Sequence, residues 1–198
     1  MTRQLILVRH GETLHNVAGI AQGWNDSELS DKGRDQVSKL AERLKRFEPD
    51  ALFSSPLGRA LSTATAVMDV LKMEIQVLED LREMSYGGWE NRSFLDIRRD
   101  EPDVYEKWIA DPDHPSPDGE SHNHVRARME RAFEAVAQAK RPVLITHGTA
   151  IRIAATALLD VPVMTSRQFA QDNAAINVFV WRADRWVLRL WNDTSHCG

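Results

Sequence analysis

The stretch LVRHGET, Leu7–Thr13, decides how this chain of 198 residues is read. Leu5, Ile6, Leu7 and Val8 form a short continuous apolar run, the pattern of a strand covered on both faces in a parallel sheet. Arg9 and His10 therefore fall at its carboxyl end. In open α/β sheets that edge is where ligands bind, and Gly11 is expected to let the backbone turn close to whatever the two side chains hold.

Two later stretches answer the first. After Ala51, Leu52 and Phe53 comes SSPLGRALSTA, Ser54–Ala64. Ser55 suits a helix N-cap and Pro56 the first helical position, which predicts Arg59 in the first turn. Leu57, Ala60, Leu61, Ala64, Met68 and Leu71 recur at helical spacing and give that helix a core face. Farther on, Val143, Leu144 and Ile145 make another buried-strand run, ending in Thr146-His147-Gly148 and followed by a helix with Ile151, Ala154, Ala155 and Leu158 on one face. His147 repeats the placement of His10. If the two strands are parallel neighbours, two histidines and two arginines converge on one anion-sized site reinforced by helix N-termini.

With these pieces in order, the chain resembles the histidine phosphatase superfamily, also called the phosphoglycerate mutase-like family, over nearly all its length. The matching stretches are LVRHGET, QGWNDSELSDKG (Gln22–Gly33), SSPLGRALSTA, LREMSYGGWE (Leu81–Glu90), PDGES (Pro117–Ser121) and LITHGTAIR (Leu144–Arg152). The resemblance implies a three-layer α/β/α sandwich around a mostly parallel sheet with one antiparallel strand. It implies His10 as nucleophile, Glu83 as proton donor, and Arg9, Arg59 and His147 as phosphate ligands, with His147 counted among the catalytic groups. Asn16 matches a position that helps hold the phosphoryl group. Gln22, Gly23, Tyr86 and Gly148 are assigned to substrate binding on the same ground, as is His122, which follows a motif that lies by the site in related phosphatases. No metal and no cofactor is expected.

The chemistry explains these residue types. A phosphate monoester repels nucleophiles through its negative charge and has a poor alkoxide leaving group. Arginines address the first problem, each guanidinium binding phosphate oxygens in pairs. His10 needs a free lone pair to attack phosphorus, and Arg9 and Arg59 disfavour its protonation, so a neutral imidazole is the expected resting state. In the family one ring nitrogen donates to a nearby backbone carbonyl and aims the other at the substrate. A glutamate can protonate the leaving oxygen and then activate water, provided that bound phosphate raises its pKa. The plainer reading of Glu83 is a surface partner of Arg82.

Composition narrows the classes. A chain of 198 residues can bury about 70% of its unfolded surface in one core, and no Pro-rich, Gly/Ser-rich or repeated stretch suggests a second domain. One domain over residues 1–198 is expected. The formal net charge of -4 and a pI near 6.0 disfavour nucleic acid as a partner. The single cysteine, Cys197, can form no internal disulfide, which fits a reducing cytoplasm. No apolar run approaches membrane-spanning length, and Arg9 and His10 lie too near Met1 for a removable signal peptide to precede the fold. A homodimer is left open.

The predicted order is strand, long loop, helix, strand, helix, strand, insertion, helix, strand, helix and a final hairpin. The first helix, from near Ser30, is expected to bury Val37, Leu40, Ala41, Leu44 and Phe47; the helix after Ser121 buries Val125, Met129, Ala132, Phe133 and Val136. Ile176, Val178 and Val180 alternate against Trp186, Leu188 and Leu190 around a turn at Ala183-Asp184. Residues 91–119, with four prolines, read as a cap over the site that selects the substrate. His122 and His124 form an HxH pair, but helical spacing sends the two side chains in different directions. His114 and His196 are read as surface residues, and His15, Trp24, Tyr86 and Trp89 as candidate substrate contacts.

Three functions fit. The first is a phosphatase acting on small phosphomonoesters, such as sugar phosphates or phosphoglycerate derivatives, through a phosphohistidine. The second is a cofactor-dependent phosphoglycerate mutase, against which Phe94 and Ile20 stand where related mutases carry a lysine and many relatives an arginine. The third, a non-catalytic phosphate-binding protein, would have no use for a nucleophile and a proton donor.

Overall fold

The computed structural model describes residues 3–198. Leu5 and Leu7 of strand β1 (Gln4–Arg9) enter one hydrophobic core and Ile6 and Val8 the other, so the continuous apolar run is a strand buried on both faces. On its two sides lie β4 (Pro142–Thr146), parallel, and β5 (Ile176–Arg182), antiparallel. The six-stranded sheet is completed by β2 (Ala51–Ser54), β3 (Ile75–Val77) and β6 (Arg185–Asp193), in the order β3-β2-β4-β1-β5-β6. Only β5 runs against the rest.

Helices α2 (Asp31–Leu44) and α3 (Gly58–Leu71) cover the face carrying Ile6 and Val8, while α6 (His122–Ala135) and α7 (Gly148–Leu158) cover the other. The chain thus leaves β1 toward one layer and its neighbour β4 toward the opposite layer. Such a switch point opens a crevice beyond the strand ends. The pairing Arg9↔Thr146 fixes what lies there, because it sets His10 beside His147.

Several local expectations are corrected. The loop after β1 holds a five-residue helix, α1 (Leu14–Ala18), capped reciprocally by Thr13 and Asn16 and burying no residue. An element without a buried stripe leaves no periodicity to read. Ser55 is not an N-cap and Pro56 is not helical: α3 starts at Gly58, and Asp26, from the loop before α2, accepts from Gly58 N–H at 2.7 Å and Arg59 N–H at 3.3 Å. The buried stripe of α3 is Ala60, Ala64 and Val67, with Leu61, Met68 and Leu71 half-buried; Phe47 and Phe133 are half-buried too. In the hairpin, Phe179 faces Leu188 but Val178 faces Leu190, so Arg189 is an extra bulged residue and Leu190 crosses to the other core. Residues 91–119 contain two helices, α4 (Phe94–Asp100) and α5 (Pro102–Ala110), with Pro102 opening the second.

Gly11 does its work away from the ligand. A Cβ there would lie 2.5 Å from Val37 Cγ2 and 2.8 Å from the Gly33 carbonyl oxygen, and a Cβ on Gly33 would lie 2.0 Å from the Glu12 carbonyl oxygen. The two glycines let the β1 loop rest against α2.

Candidate active site

A cavity of about 490 Å³ opens at the switch point, lined by Arg9, His10, Asn16, Gln22, Gly23, Arg59, Glu83, Tyr86, His122 and Gly148 among others. The His10 ring nitrogen Nδ1 lies 2.7 Å from the Gly11 carbonyl oxygen. A carbonyl can only accept, so Nδ1 carries the hydrogen and Nε2 keeps its lone pair. Burial, then the Arg59 and Arg9 guanidiniums, hold this imidazole well below its ordinary range, so it is neutral.

His147 is fully buried behind His10, the ring centroids 5.1 Å apart. Its Nε2 lies 2.8 Å from Ser55 Oγ, which also accepts from Leu57 N–H at 3.3 Å. The Ser55 hydroxyl has a hydrogen that it can donate to Nε2, and in that arrangement the His147 hydrogen is on Nδ1. Nδ1 has no protein partner. In that arrangement the two histidines present opposite characters, a lone pair on His10 and an N–H on His147. Sequence reading missed Ser55 in this role because it looked like a helix cap.

Arg59 is 2% exposed and pinned on one side only: Nη1 donates to Asn25 O at 2.8 Å and Asp26 Oδ1 at 3.0 Å, and Nη2 to Gly23 O at 2.7 Å. Arg9 donates to the Gln171 carbonyl. The Nε of each arginine is buried without a partner, as is Gln22 Oε1. A Cβ on Gly148 would lie 3.3 Å from Arg9 Cζ, so this glycine makes room for the guanidinium. Asn16 Oδ1 accepts from Thr13 N–H and Asn173 Nδ2, which turns its own amide N–H₂ outward.

Glu83 does not pair with Arg82, whose partner is Glu79. Its Oε1 accepts from Met84 N–H at 2.9 Å and Ala150 N–H at 3.0 Å, and its Oε2 from Thr149 N–H at 3.1 Å. The N-terminus of α7 is therefore taken by Glu83 as that of α3 is by Asp26. This corrects the expectation that helix N-termini reinforce the anion site: both dipoles stabilise protein carboxylates, and side-chain cations face the cavity. Behind Glu83, Arg128 of α6 donates to the carbonyls of Asp80, Arg82 and Glu83 and to both Glu120 oxygens at 2.6–3.0 Å.

Tyr86 lines the cavity with its hydroxyl 2.7 Å from Thr149 Oγ1. His122 lines it as well; burial, then Arg167 and Arg152, bring its imidazole down to about 4, while His124 points to solvent. Trp24, Trp89 and His15 do not line it. Trp24 Nε1 donates to the Glu83 carbonyl at 2.9 Å, and Trp89 is fully buried with Nε1 on Glu101. His114 and His196 are half-buried rather than on the open surface. Among the described residues no three His, Cys, Asp or Glu side chains are grouped to hold a metal, and no helix is long and apolar enough to cross a membrane.

On the far wall of the cavity, residues 91–119, read from the sequence as a cap, supply lining side chains of which only Phe94 had been singled out. Phe94, Tyr105, Trp108 and Ile109 come from α4 and α5, and Thr149, Arg152, Ser166, Arg167 and Gln171 from α7 and the segment after it. Tyr105, Trp108 and Ile109 carry a helical apolar spacing, and Arg152 lies four residues after Gly148 on one helix face, so both signals were present. Ser166, Arg167 and Gln171 lie where no periodicity exists.

A family model described as the histidine phosphatase superfamily, branch 1, matches residues 5–194. The chain belongs to that superfamily. Among its superfamily relatives is the Erwinia tasmaniensis protein named "Probable phosphoglycerate mutase GpmB", 31% identical, the match spanning 98% of this chain and 94% of that one. A solved phosphoserine phosphatase variant from Entamoeba histolytica in complex with phosphoserine is 30% identical with a TM-score of 0.89, covering 98% of both chains. A mycobacterial glucosyl-3-phosphoglycerate phosphatase in complex with VO3 is 32% identical with a TM-score of 0.88, covering 96% of this chain and 98% of that one. The superfamily fold thus carries both phosphatase and mutase names at similar distance from this chain.

Proposed function

We propose that this protein is a metal-independent phosphatase that hydrolyses a small phosphomonoester through a phosphohistidine on His10. The observation that carries the reading is the His10 imidazole, kept neutral between Arg9 and Arg59 and fixed by Gly11 as the tautomer with a free Nε2 lone pair. In the first step Nε2 attacks phosphorus, the P–O bond to the organic group breaks, and the departing oxygen takes a proton from Glu83. Arg9, Arg59, Asn16 and the His147 Nδ1–H hold the three phosphoryl oxygens and their growing charge. In the second step Glu83 accepts a proton from water, which attacks phosphorus and returns His10 Nε2 with its lone pair. Gln22, Gly23, Tyr86, Gly148 and His122 shape the rest of the substrate site. The partner is a small molecule, not a nucleic acid or a membrane, and with one cysteine the protein is assigned to the cytoplasm.

The mutase reading is supported by the name that relatives carry. Against it, Ile20 and Phe94 line the cavity as apolar side chains. One experiment separates the readings. Rapid quench with a ³²P-labelled monoester is expected to trap acid-labile, base-stable label on the wild type and none on His10→Ala, with inorganic phosphate as the product. Label persisting in His10→Ala would move the nucleophile elsewhere. Conversion of 3-phosphoglycerate to 2-phosphoglycerate, with the bisphosphate primer, faster than phosphate release would establish the mutase.

A further inference from the structure

We infer that Glu90 is a positioning residue for Arg59, acting through the peptide bond between Gly23 and Trp24. The inference rests on the phosphatase reading for the role of Arg59 and adds to it a carboxylate outside the cavity. Arg59 meets the loop 22–26 partly through backbone oxygens: Nη2 donates to Gly23 O at 2.7 Å and Nη1 to Asn25 O at 2.8 Å. The Gly23 carbonyl and the Trp24 N–H belong to one trans peptide unit, which is planar and points the two groups in opposite directions. Trp24 N–H donates to Glu90 Oε1 at 3.0 Å. Glu90 thus holds one end of a rigid plane whose other end aims the Arg59 guanidinium. Its second oxygen, Oε2, takes Asn25 N–H at 3.2 Å.

The same carboxylate reaches the loop that carries the acid. Its Oε1 accepts from Tyr86 N–H at 3.2 Å and from Ser85 Oγ at 3.4 Å, both within three positions of Glu83. Trp24 Nε1 closes the junction from the other side, on the Glu83 carbonyl. Glu90 therefore ties a phosphate-binding arginine to the loop of the proton donor, two groups whose separation the reaction needs fixed. Among the described residues every hydrogen bond that Glu90 accepts comes from a backbone amide or a hydroxyl, so its charge serves these donors rather than a surface ion pair. Gly23 is shaped to it: φ is +53°, and a Cβ there would lie 2.1 Å from Glu90 Oε1. The contact joins the start of one stretch, Gln22–Gly33, to the end of another, Leu81–Glu90, so no local pattern in the sequence announces it.

Calorimetric titration with inorganic phosphate, which needs no turnover, tests this in a double-mutant cycle. Arg59→Gln is expected to bind phosphate about tenfold to a hundredfold more weakly than the wild type, the loss of one charge-assisted contact. Glu90→Ala is expected to lose about fivefold or more with Arg59 present, and less than about twofold in the Arg59→Gln background. Glu90→Gln keeps an amide oxygen for Trp24 N–H and should bind within about threefold of the wild type. Partial misfolding lowers the number of sites per chain, not the affinity of those that remain, so the stoichiometry separates that case. If Glu90→Ala leaves no folded protein, Glu90→Asp, one methylene too short to reach Trp24 N–H, takes its place in the cycle. Equal losses in both backgrounds, wild-type affinity in Glu90→Ala, a loss of sites without a loss of affinity, or a Glu90→Gln as weak as Glu90→Ala overturns the proposal. Failure of the phosphatase reading is seen separately, as absent phosphate release from monoesters by the wild type, while the cycle on phosphate still reads Glu90.

Discussion

Glu83 takes three N–H donors on two oxygens, and their distribution says where its proton goes. Oε1 has both lone pairs engaged, by Met84 and Ala150, whereas Oε2 answers only Thr149. In the proposed mechanism the oxygen with a lone pair left for the proton is Oε2. In Glu83→Gln an amide oxygen can still serve Met84 and Ala150, but the amide N–H₂ opposes Thr149 N–H and carries no acidic proton. Phosphoenzyme formation from an alkyl phosphomonoester is expected to slow about 10²–10⁴-fold, while p-nitrophenyl phosphate, whose phenolate leaves with less help, slows less than about tenfold. Single-turnover quench with both substrates reads the difference. An equal loss for the two would leave Glu83 a positioning residue.

The element that holds Glu83 in place is α6, through Arg128. Its guanidinium gathers the carbonyls of the loop that delivers Glu83, and its charge is met by Glu120, so removing it strands a largely buried carboxylate. Arg128→Gln is expected to lower stability by about 3–5 kcal/mol, and Arg128→Met with Glu120→Gln by less, because no unpaired charge remains. Urea unfolding of the two variants checks the order, which a mainly steric role would reverse. That clamp was invisible in the sequence, since it joins α6 to a loop 45–48 positions earlier with no pattern linking them. What could be read were the elements with a strong period: the apolar runs of β1 and β4 and the stripes of α2, α6 and α7, and with them Arg9, His10 and His147, while Arg59 came from the helical spacing of α3. The start of α3 was misread because a tertiary cap, Asp26, outranked the local Ser55-Pro56 signal. The hairpin register slipped because a bulge at Arg189 is set by packing on both faces, not by alternation.

For the whole molecule, the buried imidazoles set the response to acid. Burial and neighbouring arginines keep His10 and His147 well below the ordinary 6.5 and His122 at about 4. Below pH 6.5 the unfolded chain binds protons that the folded one refuses, so stability falls as pH drops from there toward 4 and is level above it. A histidine that stays neutral in the folded chain contributes at most about 1.4 kcal/mol per pH unit, and His196, also held below its ordinary value by burial, adds in the same direction. Carboxylates with lowered values, such as Glu101 and Asp193, add their loss only below about 4.5. Urea midpoints between pH 8 and 5 are expected to follow this course, and His122→Gln to make it shallower; flat stability down to pH 5 would contradict it. The central position of β1 has a consequence for biosynthesis. Its partners, β4 and β5, begin only at Pro142 and Ile176, so a growing chain displays Leu5–Val8 with both edges bare until most of the protein has been translated. Unpaired apolar strands recruit one another. Chaperone protection of the nascent chain, and aggregation of fragments truncated before Pro142, follow from where β1 lies in the sheet.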